Sequence, residues 1–291
     1  MRSSFSVEKQ IDFPYSDLYN CNVLFPIKQS ETEDTMEEFY INDDGISLHA
    51  KLDRPADAEK CPLCIIFHGF TGHMEERHIT AAATAFNSIG IATLRVDLYG
   101  HGGSDGEFRK HTLYKWVNNA LAVVDYAGKL DFITDMYLCG HSQGGLLVML
   151  TAGLRPECFR AIIPMSPAWM IPNSARAGQM LGTSFDPEHV PDELVGEFWC
   201  IDGNYIRVAQ TIHTEDFIHR YNGPVLIVHG DTDELVPVSC AYKAHELYKN
   251  SELTIIPGDT HCYDNHLDAA IDAARNFLLS FLDSTRTNKN Y

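Results

Sequence analysis

Six short runs of apolar, mostly β-branched residues recur along this chain of 291 residues. They cover residues 63–67, 91–96, 136–139, 161–165, 225–228 and 253–256. Each run is continuously apolar, which is the pattern of strands buried on both faces of a parallel sheet. Helix-like segments accompany them at residues 75–89, 113–130, 143–154, 241–249 and 267–282. This alternation predicts an α/β fold with a mostly parallel, doubly wound sheet.

Two segments interrupt the alternation of strands and helices. Residues 38–41 and 46–52 flank Asn-Asp-Asp-Gly at 42–45, and this turn sequence predicts an antiparallel hairpin before the parallel strands. Residues 166–217 show no pattern of a buried strand, and roughly fifty residues are too many for an ordinary connection. Because this insertion follows the carboxyl end of a strand, where open α/β sheets bind ligands, we expect it to form a cap.

These patterns divide the chain into an N-terminal extension at residues 1–35 and one α/β domain at residues 36–285, with the cap inserted at about 166–217. The 40 acidic residues outnumber the 22 Lys and Arg residues, so the formal net charge is −18. An acidic surface repels nucleic acids and anionic membranes, and neither is an expected partner. No apolar run is long enough to span a bilayer, and the expected location is the cytoplasm.

Two of the eight cysteines form a Cys-x-x-Cys pattern at residues 61–64. A redox pair of this kind stands where a strand ends and a helix begins, whereas this one leads into a predicted strand. No second pair completes a zinc site. We therefore interpret these cysteines as buried apolar residues and expect neither a metal nor a disulfide framework.

The sequence Gly-His-Ser-Gln-Gly at residues 140–144 matches the G-x-S-x-G pattern of a nucleophile elbow. Ser142 would occupy a strained turn between the strand at 136–139 and the helix at 143–154. The flanking glycines would leave room where a β-carbon collides with strand or helix. A dinucleotide-binding loop is the alternative, but no G-x-G-x-x-G follows a strand near the N-terminus. Ser142 is the predicted nucleophile.

A nucleophilic serine needs a base that takes its proton and a carboxylate that orients the base. In the elbow arrangement, both follow the serine along the chain, each on a loop after a strand. His261 stands after the run at 253–256 and is the predicted base. The loop after the run at 225–228 offers two candidates for the acid, Asp231 and Asp233.

The negative charge that develops on an attacked carbonyl oxygen needs preorganised donors. One candidate is the backbone N–H of Gln143, the residue after the nucleophile. The other is the N–H of Phe70, in the glycine-containing loop that follows the run at 63–67. In the same loop, the side chain of His68 is interpreted as structural. A second glycine-rich loop, at residues 97–105, lacks a Walker-type lysine and is predicted to shape the rim of the site.

Taken together, these loops resemble the α/β-hydrolase superfamily over about residues 37–282, and more narrowly the bacterial cinnamoyl and feruloyl esterases. The motifs that carry the resemblance are HGFTGHMEERH at 68–78, GHSQGG at 140–145, and, within the insertion, PEHVPDEL at 187–194 and GNYIRVAQ at 203–210. The resemblance favours Asp233 as the acid, because the acid loop of this fold usually reads D-x-x-V-P. It assigns Asp231 to the turn.

The same resemblance implies a small cap that receives an aromatic acyl group, with a cap tyrosine that helps to bind the hydroxyl of the ring. Tyr205 stands at the matching position. Trp169 is a further cap aromatic that would line an acyl pocket, although aromatic residues in a cap more often form its own small core.

The predicted function is that of a serine carboxylic ester hydrolase that cleaves hydroxycinnamate esters through an acyl-enzyme, without a cofactor. The alternatives are a lipase or carboxylesterase for aliphatic or monoacylglycerol esters, a peptidase or amidase, and a non-catalytic ligand-binding protein on the same fold. The expected partner is a small-molecule ester, and a homodimer is left open.

Overall fold

The structure is a computed structural model that describes residues 36–56 and 58–287, with side chains described as far as residue 282. The predicted N-terminal extension at residues 1–35 lies outside these residues. The strands are β1 (Met36–Asp43), β2 (Ile46–Asp53), β3 (Cys61–Phe67), β4 (Ala92–Val96), β5 (Ile133–His141), β6 (Ala161–Met165), β7 (Gln179–Met180), β8 (Thr183–Ser184), β9 (Glu193–Val195), β10 (Cys200–Asp202), β11 (Val225–Gly230) and β12 (Ser251–Ile256). The helices are α1 (Arg77–Ser88), α2 (Leu113–Ala127), α3 (Gln143–Leu154), α4 (Ile171–Arg176), α5 (Gly203–Gln210), α6 (Thr214–Ile218), α7 (Ser239–Leu247) and α8 (Leu267–Thr287). Short 3-10 turns occupy Phe108–Lys110 and Pro156–Cys158.

A central sheet is built in the strand order β1-β2-β4-β3-β5-β6-β11-β12. The β1–β2 hairpin is antiparallel, and β2 also pairs antiparallel with β4. All other neighbours in the sheet run parallel. The predicted α/β-hydrolase fold, with a mostly parallel and doubly wound sheet, is therefore confirmed.

The predicted hairpin turn has a backbone that only a few residue types adopt readily. Its central residues, Asp44 and Gly45, have φ angles of 49° and 88°. Positive φ at both positions is the signature of the turn whose twist matches that of the two flanking strands. The side-chain oxygen of Asn42 accepts a hydrogen bond from the N–H of Gly45 at 3.4 Å.

The central strand β3 shows why the buried runs are apolar at every position. Leu63, Ile65 and Phe67 belong to the core that α2 and α3 cover, whereas Cys64 and Ile66 belong to the core beneath α1 and α8. Both faces of the strand are covered by helices, so polar residues at alternate positions would be buried without hydrogen-bond partners. The Cys-x-x-Cys pattern lies within this strand, and the thiols of Cys61 and Cys64 are free.

Helix α3, which follows Ser142, is buried on all sides. Its bounds coincide with the predicted segment 143–154, and every residue from 143 to 153 is buried. A helix that is apolar all round is buried all round. The first turn of this helix is therefore packed against other parts of the protein on all sides.

The insertion between β6 and β11 contains α4, α5, α6 and two ribbons, β7–β8 and β9–β10. Sequence patterning does not reveal these ribbons, because strands of two or three residues are too short to show a period. The guanidinium of Arg109, on the 3-10 turn before α2, anchors the second ribbon. It donates to Glu193 Oε1 at 2.5 Å and to Asp202 Oδ1 at 2.6 Å.

A tight helix contact provides a test of this packing. A β-carbon on Gly153 of α3 would lie 2.6 Å from the carbonyl oxygen of Phe217 in α6. We expect Gly153→Ala to lower the free energy of unfolding by about 1–3 kcal/mol, because the two backbones must separate. Urea denaturation followed by circular dichroism measures the change. The control is Gly128→Ala at the end of α2, where the new β-carbon meets only Val124 O, at 3.4 Å. Equal stability of the two variants would contradict the close approach of α3 and α6.

Candidate active site

Ser142 lies between the end of β5 and the first turn of α3, with a φ of 58° and a ψ of −119°. Few residues with a β-carbon adopt this conformation. A β-carbon on Gly140 would lie 2.5 Å from the carbonyl oxygen of Gly144, and one on Gly144 would lie 2.5 Å from the carbonyl oxygen of Phe67. Only glycine fits at both positions. The chain thus has the strand–turn–helix geometry that the elbow motif predicts.

The loops after β11 and β12 bring a carboxylate and an imidazole together. Asp233 Oδ2 lies 2.7 Å from Nδ1 of His261. Because a carboxylate oxygen accepts, Nδ1 carries the proton and Nε2 keeps the basic lone pair. Asp231, the alternative acid, instead accepts the N–H of Gly258 at 2.6 Å. The structure therefore places Asp233 on the imidazole and Asp231 within the turn.

The carboxylate of Asp233 is fully buried and surrounded by donors. Its Oδ1 accepts the N–H groups of Leu235 and Val236 at 2.9 and 2.8 Å, and Nε2 of His229 lies 3.2 Å from Oδ2. Burial alone would raise the pKa of Asp233, but hydrogen bonds from His229 and His261 outweigh it and hold the pKa well below the ordinary value. Asp233 is therefore a carboxylate at neutral pH.

His229 is a part of this site that sequence reasoning did not identify. It stands near the end of β11, and its ring is fully buried. Nε2 faces the carbonyl oxygen of Val236 at 2.9 Å as well as the Asp233 carboxylate, so it must carry a proton. The sequence signal was its position directly before the acid loop.

The two predicted oxyanion donors have no competing acceptor among the described residues. The N–H groups of Phe70 and Gln143 make no hydrogen bond to a described protein group. Gln143 is the first residue of α3, where helical N–H groups lack partners and the helix dipole is positive. A β-carbon on Gly69, next to Phe70, would come within 3.2 Å of Ser142 Cβ. The Phe70 loop and the elbow are therefore in contact.

The side chain of Phe70 belongs to a cluster of rings above the sheet edge. Its ring meets those of Trp199 and Tyr205 edge-on, with centroids 5.7 and 5.8 Å apart. Trp199 is partly exposed, whereas Tyr205 is fully buried. Behind Phe70, His68 is fully buried, and its Nε2 accepts the N–H of Leu98 at 3.0 Å. His68 thus has the structural contacts that its sequence position predicts.

The glycine-rich loop at residues 97–105 is folded around the carboxylate of Asp97. Its Oδ2 accepts the N–H of Gly103 at 2.9 Å, and its Oδ1 accepts the N–H of Met74 at 2.7 Å. A β-carbon on Gly102, which has a φ of 50°, would overlap the carboxylate. The glycines therefore close a turn on Asp97.

Two residues predicted to bind substrate have their polar atoms engaged inside the protein. The hydroxyl of Tyr205 donates to Oε1 of Gln143 at 2.6 Å, and the side chain has no exposed surface. The indole N–H of Trp169 donates to the carbonyl oxygen of Cys240 at 2.8 Å, and this side chain is buried as well. Trp169 packs in the core that joins the insertion to α7, and its role in lining an acyl pocket stays a prediction. Tyr205 lies beside the elbow, but its hydroxyl is committed to Gln143.

A second carboxyl group, that of Glu76, lies near the imidazole of His78. It precedes α1, and its side chain is 28 % exposed. Burial, followed by the nearby charge of Asp97, raises the pKa of Glu76 to about 7. Its Oε2 is buried and has no hydrogen-bond partner among the described side chains. The charged form of Glu76 is therefore poorly solvated.

This raised pKa makes stability depend on pH. Between about 4.5 and 7 the folded protein binds a proton at Glu76 that the unfolded chain has released, so stability falls as pH rises. We expect Glu76→Gln to match the wild type near pH 5 and to be more stable at pH 8, by up to roughly 3 kcal/mol. Thermal unfolding at both pH values measures this difference. Glu75→Gln is the control. It removes a carboxylate paired with Lys51 and Arg95, and should lower stability at pH 8. A Glu76→Gln difference that is the same at both pH values would refute the assignment.

Across the described ranges, no three His, Cys, Asp or Glu side chains are grouped so that they could hold a metal ion. No helix in those ranges is long and apolar enough to cross a membrane.

Comparison with known proteins extends these observations. The family model described as serine aminopeptidase S33 matches residues 58–198. A solved structure titled ferulic acid bound to Est1E from Butyrivibrio proteoclasticus is 58% identical, covers 83% of this chain and 98% of that one, and superposes with a TM-score of 0.82. A second Est1E structure from the same organism is 55% identical, covers 84% of this chain and 99% of that one, and has a TM-score of 0.80.

Curated relatives are more distant. The mitochondrial palmitoyl-protein thioesterase ABHD10 of Homo sapiens is 26% identical over 68% of this chain, and the match spans 65% of the thioesterase. The monoglyceride lipase of Homo sapiens is 25% identical over 74% of this chain and 79% of the lipase. Identity above one half with Est1E, over nearly its whole length, is decisive for the family. The chain belongs to the α/β-hydrolase superfamily, among the serine esterases of the cinnamoyl and feruloyl esterase type.

Proposed function

We propose that this esterase hydrolyses esters of hydroxycinnamic acids, with Ser142 as nucleophile, His261 as base and Asp233 as the acid that orients it. The observation that carries the chemistry is the 2.7 Å contact of Asp233 with His261 Nδ1, which leaves Nε2 basic at the strand edge that also holds the strained Ser142. The substrate class rests on the likeness to Est1E, whose structure is titled with bound ferulic acid.

In the first half of the reaction, Nε2 of His261 takes the hydroxyl proton of Ser142 while Oγ bonds to the ester carbonyl carbon. The electron pair of the carbonyl double bond moves to oxygen. When the tetrahedral intermediate collapses, the bond to the leaving alkoxide breaks, and the imidazolium gives its proton to that alcohol. An acyl-enzyme on Ser142 remains.

In the second half, His261 takes a proton from water, and the hydroxide oxygen bonds to the acyl carbon. Collapse breaks the bond to Ser142, whose oxygen regains the proton from His261, and the free acid leaves. Each imidazolium formed on the way carries a positive charge in a buried site. The carboxylate of Asp233, 2.7 Å from Nδ1, stabilises that charge and holds the tautomer.

The N–H groups of Phe70 and Gln143 serve as donors to the oxyanion in both halves. Both are free of described protein acceptors, so no hydrogen bond is lost when they turn to the substrate oxygen. Gln143 adds the positive end of the α3 dipole. Because both donors are backbone groups, one in the loop after β3 and one at the start of the buried helix α3, the oxyanion is stabilised with little reorganisation.

Phe70 and Trp199 are the rings that would face an aromatic acyl group. Trp199 is partly exposed, and its ring lies edge-on to that of Phe70. Phe70 is itself a residue of the oxyanion loop. Planar, weakly polar surfaces of this kind favour a conjugated ring over a flexible chain. The alternative substrates are long-chain acyl esters or thioesters. This alternative rests on the more distant similarity to the monoglyceride lipase and the palmitoyl-protein thioesterase.

The substrate proposal is tested by kcat/KM for methyl ferulate against methyl octanoate, which have the same leaving group. We expect at least about a tenfold preference for methyl ferulate, because the rings of Phe70 and Trp199 would face the acyl group. Ser142→Ala should lower both activities by on the order of 10³ or more. A preference for methyl octanoate would overturn the substrate class alone, whereas hydrolysis by folded Ser142→Ala at the wild-type rate would overturn the mechanism.

The acid is tested by two matched substitutions. Asp233→Asn keeps the shape but lets His261 adopt the wrong tautomer, so we expect kcat to fall by about 10⁴. Asp231→Asn changes a carboxylate two residues away whose partner is the N–H of Gly258, and its kcat should stay close to that of the wild type. Steady-state kinetics on methyl ferulate measures both. A reversed order of the two effects would assign the acid to Asp231.

A further inference from the structure

His141, the residue directly before the nucleophile, is a buried side chain to which the mechanism above gives no role. It is the last residue of β5, and 3 % of it is exposed. Its Nε2 lies 2.8 Å from the backbone carbonyl oxygen of His261. A carbonyl oxygen can only accept, so Nε2 carries the ring proton and donates it.

The rest of the ring is packed rather than hydrogen bonded. Its centroid lies 4.7 Å from that of His261 and 4.2 Å from that of His78 in α1. A β-carbon on Gly69 would lie 3.5 Å from Nδ1, so the oxyanion loop lies beside the other ring nitrogen. His141 therefore touches the base loop, the oxyanion loop and, through the chain, the nucleophile.

The base loop needs such a contact. His261 stands five residues beyond the end of β12 at Ile256, outside the ladder of the sheet. The hydrogen bond to Asp233 orients its ring, whereas the hydrogen bond from His141 holds its backbone. Together the two bonds restrict rotation of the ring and displacement of the loop. Displacement of a reacting group by about 1 Å can cost on the order of 10² in rate.

We infer that His141 is a positioning residue: its Nε2–H, donated to the carbonyl oxygen of His261, fixes the distance between the base and the nucleophile. This inference rests on the proposed roles of Ser142 and His261. Burial, with the neighbouring rings of His78 and His261, lowers the pKa of His141 well below its ordinary value. The ring is therefore neutral, and its single proton is the one on Nε2.

His78 packs against the ring of His141 but does not hydrogen bond to it. Its Nε2 lies 3.6 Å from Oε2 of Glu76, and neither atom has a hydrogen-bond partner among the described residues. His78 thus supports the His141 ring by contact alone. Loss of the ring of His141 and loss of its N–H are therefore expected to have different effects.

Two substitutions of His141 separate these effects. His141→Phe keeps a ring and removes the donor, and His141→Gln keeps an N–H donor at nearly the same reach and removes the ring. With p-nitrophenyl acetate, we expect kcat of the Phe variant to fall about 10–100-fold with KM nearly unchanged, and the Gln variant to recover most of kcat. The inverse order, with the Phe variant active and the Gln variant impaired, would show that only ring packing matters and would overturn the inference.

A second measurement uses the wild-type protein, in case both variants are poorly folded. In protein labelled with ¹⁵N-histidine, NMR of the ring nitrogens should show His141 as the neutral tautomer with its proton on Nε2. A proton on Nδ1 would overturn the inference. Ser142→Ala keeps the outcomes distinct: if it stays active, the proposed mechanism fails, whereas an inactive Ser142→Ala beside a fully active His141→Phe removes only the role of His141.

Discussion

The close backbone approach at the elbow is the constraint on which the rest of the site depends. Because Gly140 and Gly144 lack β-carbons, β5 and α3 meet at a separation that no other residue allows. Ser142 is held at positive φ as a result, and the free N–H of Gln143 begins α3 next to it. Gly69 lets the second donor loop contact the same turn. The proposed nucleophile and oxyanion donors are thus placed by close packing of the backbone.

Around this elbow, buried polar groups are arranged in chains with defined donors and acceptors. Asp233 accepts from two side chains and two backbone N–H groups, which offset the free-energy cost of removing its charge from water. Nε2 of His229 lies 3.2 Å from the carboxylate of Asp233, and Nε2 of His141 donates to the backbone carbonyl oxygen of His261. Glu76 is different, because one of its buried oxygens has no described hydrogen-bond partner and its charge is costly above neutral pH.

Much of this architecture can be predicted from the sequence. The buried strands appear as short apolar runs, and the elbow has a characteristic spacing of glycines around Ser142. Helix α3 begins and ends where the pattern predicts. The family resemblance favours Asp233 over Asp231, and the contacts of Asp233 with His261 and of Asp231 with Gly258 agree with that preference. His141 and His229 were missed because contacts between loops leave no period in a sequence. The acyl-pocket role expected of Trp169 stays a prediction, because a buried aromatic side chain is compatible both with the core and with the wall of a closed pocket.

The burial of α3 on every side has a consequence for how such an enzyme can diversify. A substitution in this helix disturbs at least one of the sheet, α2 and the insertion, so nearly all changes there carry a penalty in folding. The β9–β10 ribbon is the opposite case, since Val195 and Phe198 at its turn are largely exposed to solvent. Mutational tolerance is therefore concentrated in the segment beside Trp199, where the acyl group would be recognised. Substitutions at the exposed positions of the ribbon therefore change the surface beside Trp199 at little cost in folding, whereas those in α3 do not.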